Sequence, residues 1–288
     1  RCSNTINFLN KLAVKKREYS KAKIIAVTGS SGKTSSKNLL GNLLTNYGQT
    51  YFSKKSHNNH FGVPLSLCNL EDNHQYGVFE IGMSKPEEIR NLSNLVRPHI
   101  GVITNIGEAH IENFDSLNGI AKAKSEIIEN INKDGFLILN RDDKYFNFLS
   151  KIAKTKKIKV LSFGTTKKSD AYLIQNKKFK NYNLLRFKVF KDNISLKTKN
   201  TNSLTILNIL SSFLILSLLN LDITKIKNST NFFNSVEGRG KAYIIKRYKK
   251  KFHFIDESYN ANPSSVKNAI INFSKIKKNK SKKYLLLG

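Results

Sequence analysis

Alternating short apolar runs and longer amphipathic stretches predict an α/β protein with a mostly parallel sheet and helices on both faces. Three observations carry this. Residues 23–28 (Lys-Ile-Ile-Ala-Val-Thr) form an apolar run that enters a Gly-rich turn, as a buried parallel strand does before a helix. Comparable runs recur near 77–81, 100–104 and 135–139. Helical patterns fill the gaps, at 33–46, 86–95 and 116–131.

From about 158 to 198 the pattern changes to short alternating segments, such as Tyr182 to Phe190, which predict antiparallel strands extending one edge of the sheet. An apolar helix at 204–220 and a second helix at about 222–235 complete this first domain, 23–236. Residues 1–22 read as a linker from a preceding domain, and Glu237-Gly238-Arg239-Gly240 as a loop. A strand, helix and strand at 251–256, 263–275 and 283–287 then predict the beginning of a second, Rossmann-like α/β domain over 237–288. The run Leu285-Leu286-Leu287-Gly288 would leave that sheet unfinished, so a fragment of a longer protein is expected.

The chain has 288 residues and 39% hydrophobic residues, enough for a core and too apolar for disorder. Its net charge of +30 invites nucleic acid as a partner. Only eight of the 50 basic residues are Arg, however, and the Lys are spread over the whole chain. Readers of phosphate and base edges favour the planar Arg fork, so nucleic acid is disfavoured. Cys2 and Cys68 match no metal or disulfide spacing, and no leader-like segment opens these residues, so a cytoplasmic protein is expected. Leu204 to Leu221 is uncharged over 18 residues, the lower limit for a membrane span, but Asn208, Ser211, Ser212, Ser217 and Asn220 mark it as a buried helix of a globular domain.

Thr28-Gly29-Ser30-Ser31-Gly32-Lys33-Thr34 lies between a predicted strand and a predicted helix, the context a phosphate-binding loop requires. Gly29, Ser30, Ser31 and Gly32 allow backbone N–H groups to close around phosphate oxygens at a helix N-terminus. Lys33 can neutralise phosphate charge, and the Thr34 hydroxyl can ligate Mg²⁺. The general pattern G-x-x-x-x-G-K-[ST] is missed by one residue, Val27 standing where it has Gly. Glu80 ends a predicted buried strand, where a carboxylate faces the ligand crevice and can hold Mg²⁺.

Val27 to Thr34 resembles the shortened T-G-x-x-G-K-T loop of the Mur ligases. Further matches follow in family order: Asn58-Asn59-His60-Phe61-Gly62-Val63-Pro64-Leu65, Phe79-Glu80-Ile81-Gly82-Met83, Thr104-Asn105-Ile106-Gly107-Glu108-Ala109-His110, Ala123-Lys124-Ser125-Glu126-Ile127, Glu237-Gly238-Arg239 and Ser258-Tyr259-Asn260-Ala261-Asn262-Pro263. The last resembles the branch that joins D-alanyl-D-alanine to UDP-N-acetylmuramoyl-tripeptide, the MurF type, since sister ligases carry a His in that loop.

The resemblance implies ATP and Mg²⁺ as cofactors, UDP-MurNAc-peptide and D-alanyl-D-alanine as substrates, and a monomer at full length. It implies Mg²⁺ ligation by Thr34, Glu80 and His110, and by Lys124 once carbamylated; by pattern alone Lys124 reads as part of a solvated charged face. It implies that Asn58 and Asn59 border substrate, and that Asn208 reaches adenine although this chain lacks the first two polar positions of the family's H-N-x-x-N pattern. Arg239 and Asp256 would reach ATP from the second domain, with Tyr259, Asn260 and Asn262 near the base; whether Asp256 or Glu257 takes the ribose stays open. In the implied reaction a carboxylate attacks the γ-phosphate of ATP, and an amine then displaces phosphate from the acyl carbon. The competing readings are a sister ligase of the Mur or folylpolyglutamate-synthase type, or a P-loop nucleotide-binding module without ligase activity.

Overall fold

A computed structural model describes residues 4–198, 202–226, 238, 240–259, 263–274, 276 and 282–287. The chain divides into two compact units, Arg1–Asn234 and Ser235–Gly288.

The first unit is built on one nine-stranded sheet, in the order β2-β3-β1-β4-β5-β6-β7-β8-β9. Strands β1 (Lys23–Thr28), β2 (Thr50–Phe52), β3 (Tyr76–Glu80), β4 (Ile100–Ile103), β5 (Phe136–Asn140) and β6 (Lys159–Gly164) run parallel. β7 (Ala171–Lys178) pairs briefly with β6 in parallel, and then β8 (Asn183–Val189) and β9 (Asp192–Thr198) add an antiparallel meander at the edge, as the alternating segments predict. The chain leaves β1 toward β3 and β2 on one side and returns through β4 to the other. The carboxyl ends of β1, β3 and β4 therefore lie side by side at a switch point of the winding, where α/β sheets bind ligands.

Each strand of the sheet's centre serves two cores. Ile25 and Val27 face α2 (Lys33–Leu44) and α7 (Ser203–Leu218); Ile24 and Ala26 face the opposite layer, which holds α1 (Thr5–Tyr19), α3 (Gly62–Cys68), α4 (Glu88–Val96), α5 (Leu117–Ser125) and α6 (Phe146–Thr155). This is the period-2 alternation of a strand covered on both faces. The uncharged stretch of α7 is spent on the first core through Ile206, Ile209, Leu210, Phe213 and Leu214. Among the described residues no helix is long and apolar enough to cross a membrane.

Helix starts follow local chemistry. The side chains of Asn4, Ser116 and Asn202 accept backbone N–H groups at the first turns of α1, α5 and α7. The Glu126 carboxylate, in the 3₁₀ turn Glu126–Asn130 after α5, accepts the Glu87 and Arg90 N–H groups at 2.8 and 3.0 Å and so caps α4.

The structure departs from the sequence reading in three places. Residues 5–19 are a helix packed through Ala13 and Arg17, where the sequence predicts a linker. Of the helix expected at 222–235, the structure describes a 3₁₀ turn at Ile223–Ile226, and residues 227–235 lie outside the described residues. In the second unit the expected lone strand at 251–256 is half of an antiparallel hairpin, β10 (Lys241–Arg247) with β11 (Lys250–Asp256), followed by α8 (Pro263–Ser274). Residues 282–287 form no strand, because no described segment hydrogen-bonds along them; Tyr284 and Leu286 are exposed.

Candidate functional site

The loop after β1 is held in one conformation by its neighbours at the switch point. Gly29 has φ +147°, and a Cβ there would collide with the Thr104 hydroxyl just beyond β4. Gly32 takes φ 79° and opens α2 without a side-chain cap. Only glycine tolerates both demands at low cost. From the β4 side, the Asn105 carbonyl oxygen accepts Ser30 N–H at 3.0 Å and its Oδ1 accepts Ser31 N–H at 2.9 Å. The Ser30 hydroxyl exchanges hydrogen bonds with the N–H and C=O of Gly107, each at 2.8 Å. The loop leads directly into the N-terminus of α2, the end of a helix that attracts anions.

Beside this loop lies a buried acidic corner. Thr34 and Glu80 are 3% and 1% exposed. The Thr34 hydroxyl donates to Glu80 Oε2 at 2.8 Å, and Asn58 Nδ2 donates to Glu80 Oε1 at 2.8 Å. The Ser56 hydroxyl is 3.4 Å from that of Thr34. Lys37, fully buried one turn beyond Lys33, places its ammonium 3.9 Å from Glu80 Oε2.

A second, basic corner adjoins the same loop. The Lys33 ammonium donates to Gly29 O at 2.8 Å. Lys33 lies within electrostatic reach of His110 and of Lys124. Burial, then Lys33 and Lys124, hold the His110 imidazole below its ordinary value, against an opposing pull from Glu112 and Glu88. Lys124 is 2% exposed. Burial, and then the Lys33 charge, drive its amine far below the usual lysine range. Its chemistry is therefore that of a buried amine that holds its proton weakly, and not that of a solvated helix face.

Thr34, Glu80 and Asn58 are thus brought into direct contact, and Lys33, His110 and Lys124 into one electrostatic group. Asn208 of α7 is 8% exposed and its Oδ1 lies 3.6 Å from where a Gly32 Cβ would stand, so it borders the loop. Asn59 is used locally: its Oδ1 accepts Phe61 and Gly62 N–H at 3.2 and 2.9 Å ahead of α3. Arg239, Asn260 and Asn262 lie outside the described residues. In the second unit the Asp256 carboxylate accepts Ser258 Oγ, Ser258 N–H and Gly238 N–H at 2.6, 3.0 and 3.2 Å. The Ser258 bonds, first among its influences, hold it below the ordinary carboxylate value. Tyr259 is exposed there, its N–H donating to Gly238 O at 3.1 Å.

Sequence reasoning missed Lys37, Ser56 and the clamp made by Thr104 and Asn105. For Lys37 a signal existed, since a residue four beyond Lys33 shares its helix face.

A glycine-rich loop between strand and helix, a strand-end carboxylate and a buried amine gather at one switch point, the arrangement of a P-loop-like α/β protein. The chain belongs to the Mur ligase family: the Mur ligase middle domain matches residues 27–216. It is 35% identical over 269 residues to the UDP-N-acetylmuramoyl-tripeptide–D-alanyl-D-alanine ligase of Rickettsia prowazekii, covering 93% of this chain and 59% of that relative. A crystal structure of MurF from Acinetobacter baumannii superposes with TM-score 0.86 at 29% identity, covering 96% of this chain and 59% of that one. MurF from Thermotoga maritima in complex with ADP superposes with TM-score 0.81 at 27% identity, covering 95% and 62%. The chain therefore spans about 59% of the length of the first relative it matches.

Proposed function

We propose that this chain is the nucleotide-binding part of an ATP-dependent ligase that joins D-alanyl-D-alanine to UDP-N-acetylmuramoyl-tripeptide in peptidoglycan precursor synthesis. The observation that carries the reading is the Thr34–Glu80 contact, set beside the N-terminus of α2 and Lys33 at the carboxyl ends of β1 and β3. The names of the similar ligases and the ADP bound to the Thermotoga protein support it.

ATP would place its phosphates on the Gly29 to Thr34 loop. The backbone N–H groups at the start of α2 would receive the phosphate oxygens, and Lys33 would exchange its bond to Gly29 O for one to phosphate. The donor set fits Mg²⁺, a hard cation that prefers oxygen: a buried carboxylate and a hydroxyl already stand in contact. Among the described residues no cluster of three or more His, Cys, Asp or Glu side chains could hold a metal alone, so phosphate oxygens would complete the coordination. Bound there, Mg²⁺ would neutralise charge between two anions that must meet.

The substrate carboxylate then attacks the γ-phosphorus, the bond to the bridging oxygen of ADP breaks, and an acyl phosphate forms. The amine of D-alanyl-D-alanine attacks the acyl carbon, loses a proton, and inorganic phosphate leaves. This chain's residues contribute positioning and charge neutralisation rather than covalent chemistry.

His110 and Lys124 form the second part of the reading. A buried neutral amine is a nucleophile for CO₂; attack and loss of a proton give a carbamate, which turns Lys124 into an anionic ligand facing Lys33 and His110. The second unit would carry further ATP contacts through Arg239, Asp256, Tyr259, Asn260 and Asn262.

The test is ADP release by the full-length protein with UDP-MurNAc-tripeptide, with and without D-alanyl-D-alanine. Release that requires both substrates is the expected result. Release indifferent to D-alanyl-D-alanine would favour a sister ligase or a plain nucleotide-binding module.

A further inference from the structure

Lys37 lies on α2 four residues beyond Lys33 and is fully buried. Its side chain runs to the loop after β2 and the end of β3. Its ammonium donates to Ser53 O at 2.5 Å and Lys55 O at 2.6 Å and stands 3.9 Å from Glu80 Oε2. The loop that supplies those carbonyls touches the acidic corner twice more. Ser53 Oγ accepts Glu80 N–H at 3.3 Å, and Ser56 Oγ is 3.4 Å from Thr34 Oγ1. One buried cation thus ties together α2, the loop after β2 and the end of β3.

Burying an ammonium is costly, and its neighbours Leu40, Leu43 and Leu44 show that this helix elsewhere fills its inner face with aliphatic side chains. A cation here needs a reason that packing does not supply. Without it, Glu80 would be a buried carboxylate held only by the neutral donors Thr34 and Asn58.

We propose that Lys37 is a positioning residue of the metal corner: it balances the Glu80 charge before any metal arrives and fixes the carboxylate, with the 53–56 loop, beside the Thr34 hydroxyl. It touches neither phosphate nor metal and acts through Glu80. The inference rests on the reading of Glu80 and Thr34 as Mg²⁺ ligands.

Two measurements on the full chain test it. The first is the thermal melting of the nucleotide-free protein, parent against Lys37→Met, Glu80→Gln and the double variant. If Lys37 balances Glu80, Lys37→Met lowers the midpoint and adding Glu80→Gln recovers part of the loss, because the unpaired carboxylate is gone. Losses that simply add would overturn the charge pairing. The second is ADP affinity with and without Mg²⁺, by calorimetry. Mg²⁺ should tighten binding to the parent, and Lys37→Met should shrink that enhancement by roughly tenfold, the usual scale for a group that orients a metal ligand. Lys37→Gln, which can still donate to the loop carbonyls, should fold and yet show the same diminished enhancement. An undiminished Mg²⁺ enhancement in both variants would overturn the positioning role alone. A parent with no enhancement would instead sink the metal corner itself.

Discussion

Glu80 and Lys124 are almost equally buried, yet their surroundings are opposite. Around Glu80 the fold gathers the Thr34 hydroxyl, the Asn58 amide and the Lys37 ammonium. Around Lys124 the charge that acts on the amine is another cation, Lys33. A buried charge with a full set of partners is a fixed structural anion. A buried base facing a like charge holds its proton less tightly. The same domain therefore holds one group by gathering partners around it and loosens the proton of another by burying it beside a like charge.

That contrast can be broken most directly at Glu80. Replacing it by Leu should cost about 3 kcal/mol, because the buried Lys37 ammonium loses the carboxylate beside it. Chemical denaturation of the parent and variant would measure this, and an unchanged midpoint would mean that the partners around Glu80 contribute nothing net.

His99 extends the Lys124 side of the comparison. Burial, then Arg17 and Lys23, bring its imidazole down from 6.5 to about 4. Its Nδ1 accepts the Ile24 N–H at 2.9 Å, a bond that protonation there would break. The folded pKa lies below the unfolded one, so the unfolded chain takes up more protons between those values. Stability should be full above pH 6.5 and fall as pH drops toward 4, by on the order of 2 kcal/mol after allowance for solvent screening. His99→Gln should flatten that slope in denaturation midpoints measured across the window.

Lys124→Met should have the opposite sign to the Glu80 substitution. In bicarbonate-free buffer at pH 7 it should raise the melting temperature, by roughly 2–6 °C, since a thioether chain costs less to bury than an amine. The lysine's folded pKa is depressed, so the parent regains stability as pH climbs toward 10.5 and the advantage of Met should shrink there. A Met variant less stable than the parent at pH 7 would show that the amine has a partner after all. The smallest effect expected is on His110. With the Lys33 charge removed by Lys33→Met, its imidazole should titrate closer to its ordinary value of 6.5 in the metal-free protein, as an NMR pH series would read.

The glycine-rich loop, the strand before it and Glu80 at the end of β3 were legible because each is local: an apolar run, a turn that needs glycine and a carboxylate where an apolar run stops. What stayed hidden depended on tertiary surroundings. Lys124 reads as a solvated charge beside Lys122 and Glu126, and only burial in the fold makes it an unusual amine. Lys37 reads as a polar helix position for the same reason. Helix α1 was obscured because its apolar residues serve two faces, Ala13 inward and Phe8, Leu12 and Tyr19 outward, which blurs a single stripe. The β10–β11 hairpin turns at Tyr248 and Lys249, both at positive φ (48° and 56°) without the Gly or Asn that advertises such a turn.

The strand order also sets a sequence of events for the nascent chain. β1 emerges first among the strands but sits at the centre, pairing residues 23–27 with 76–80 and 25–28 with 100–103. It has no partner until some fifty further residues have been made, and no second partner until β4 follows. The β7–β8–β9 meander, by contrast, closes on immediate neighbours in the chain. Ribosome-bound intermediates should thus carry a mostly apolar central strand without its partners while those residues are being made, and loop-closure entropy makes that pairing the slow step. The binding loop, suspended between β1 and β4, cannot take its final shape before that step is complete.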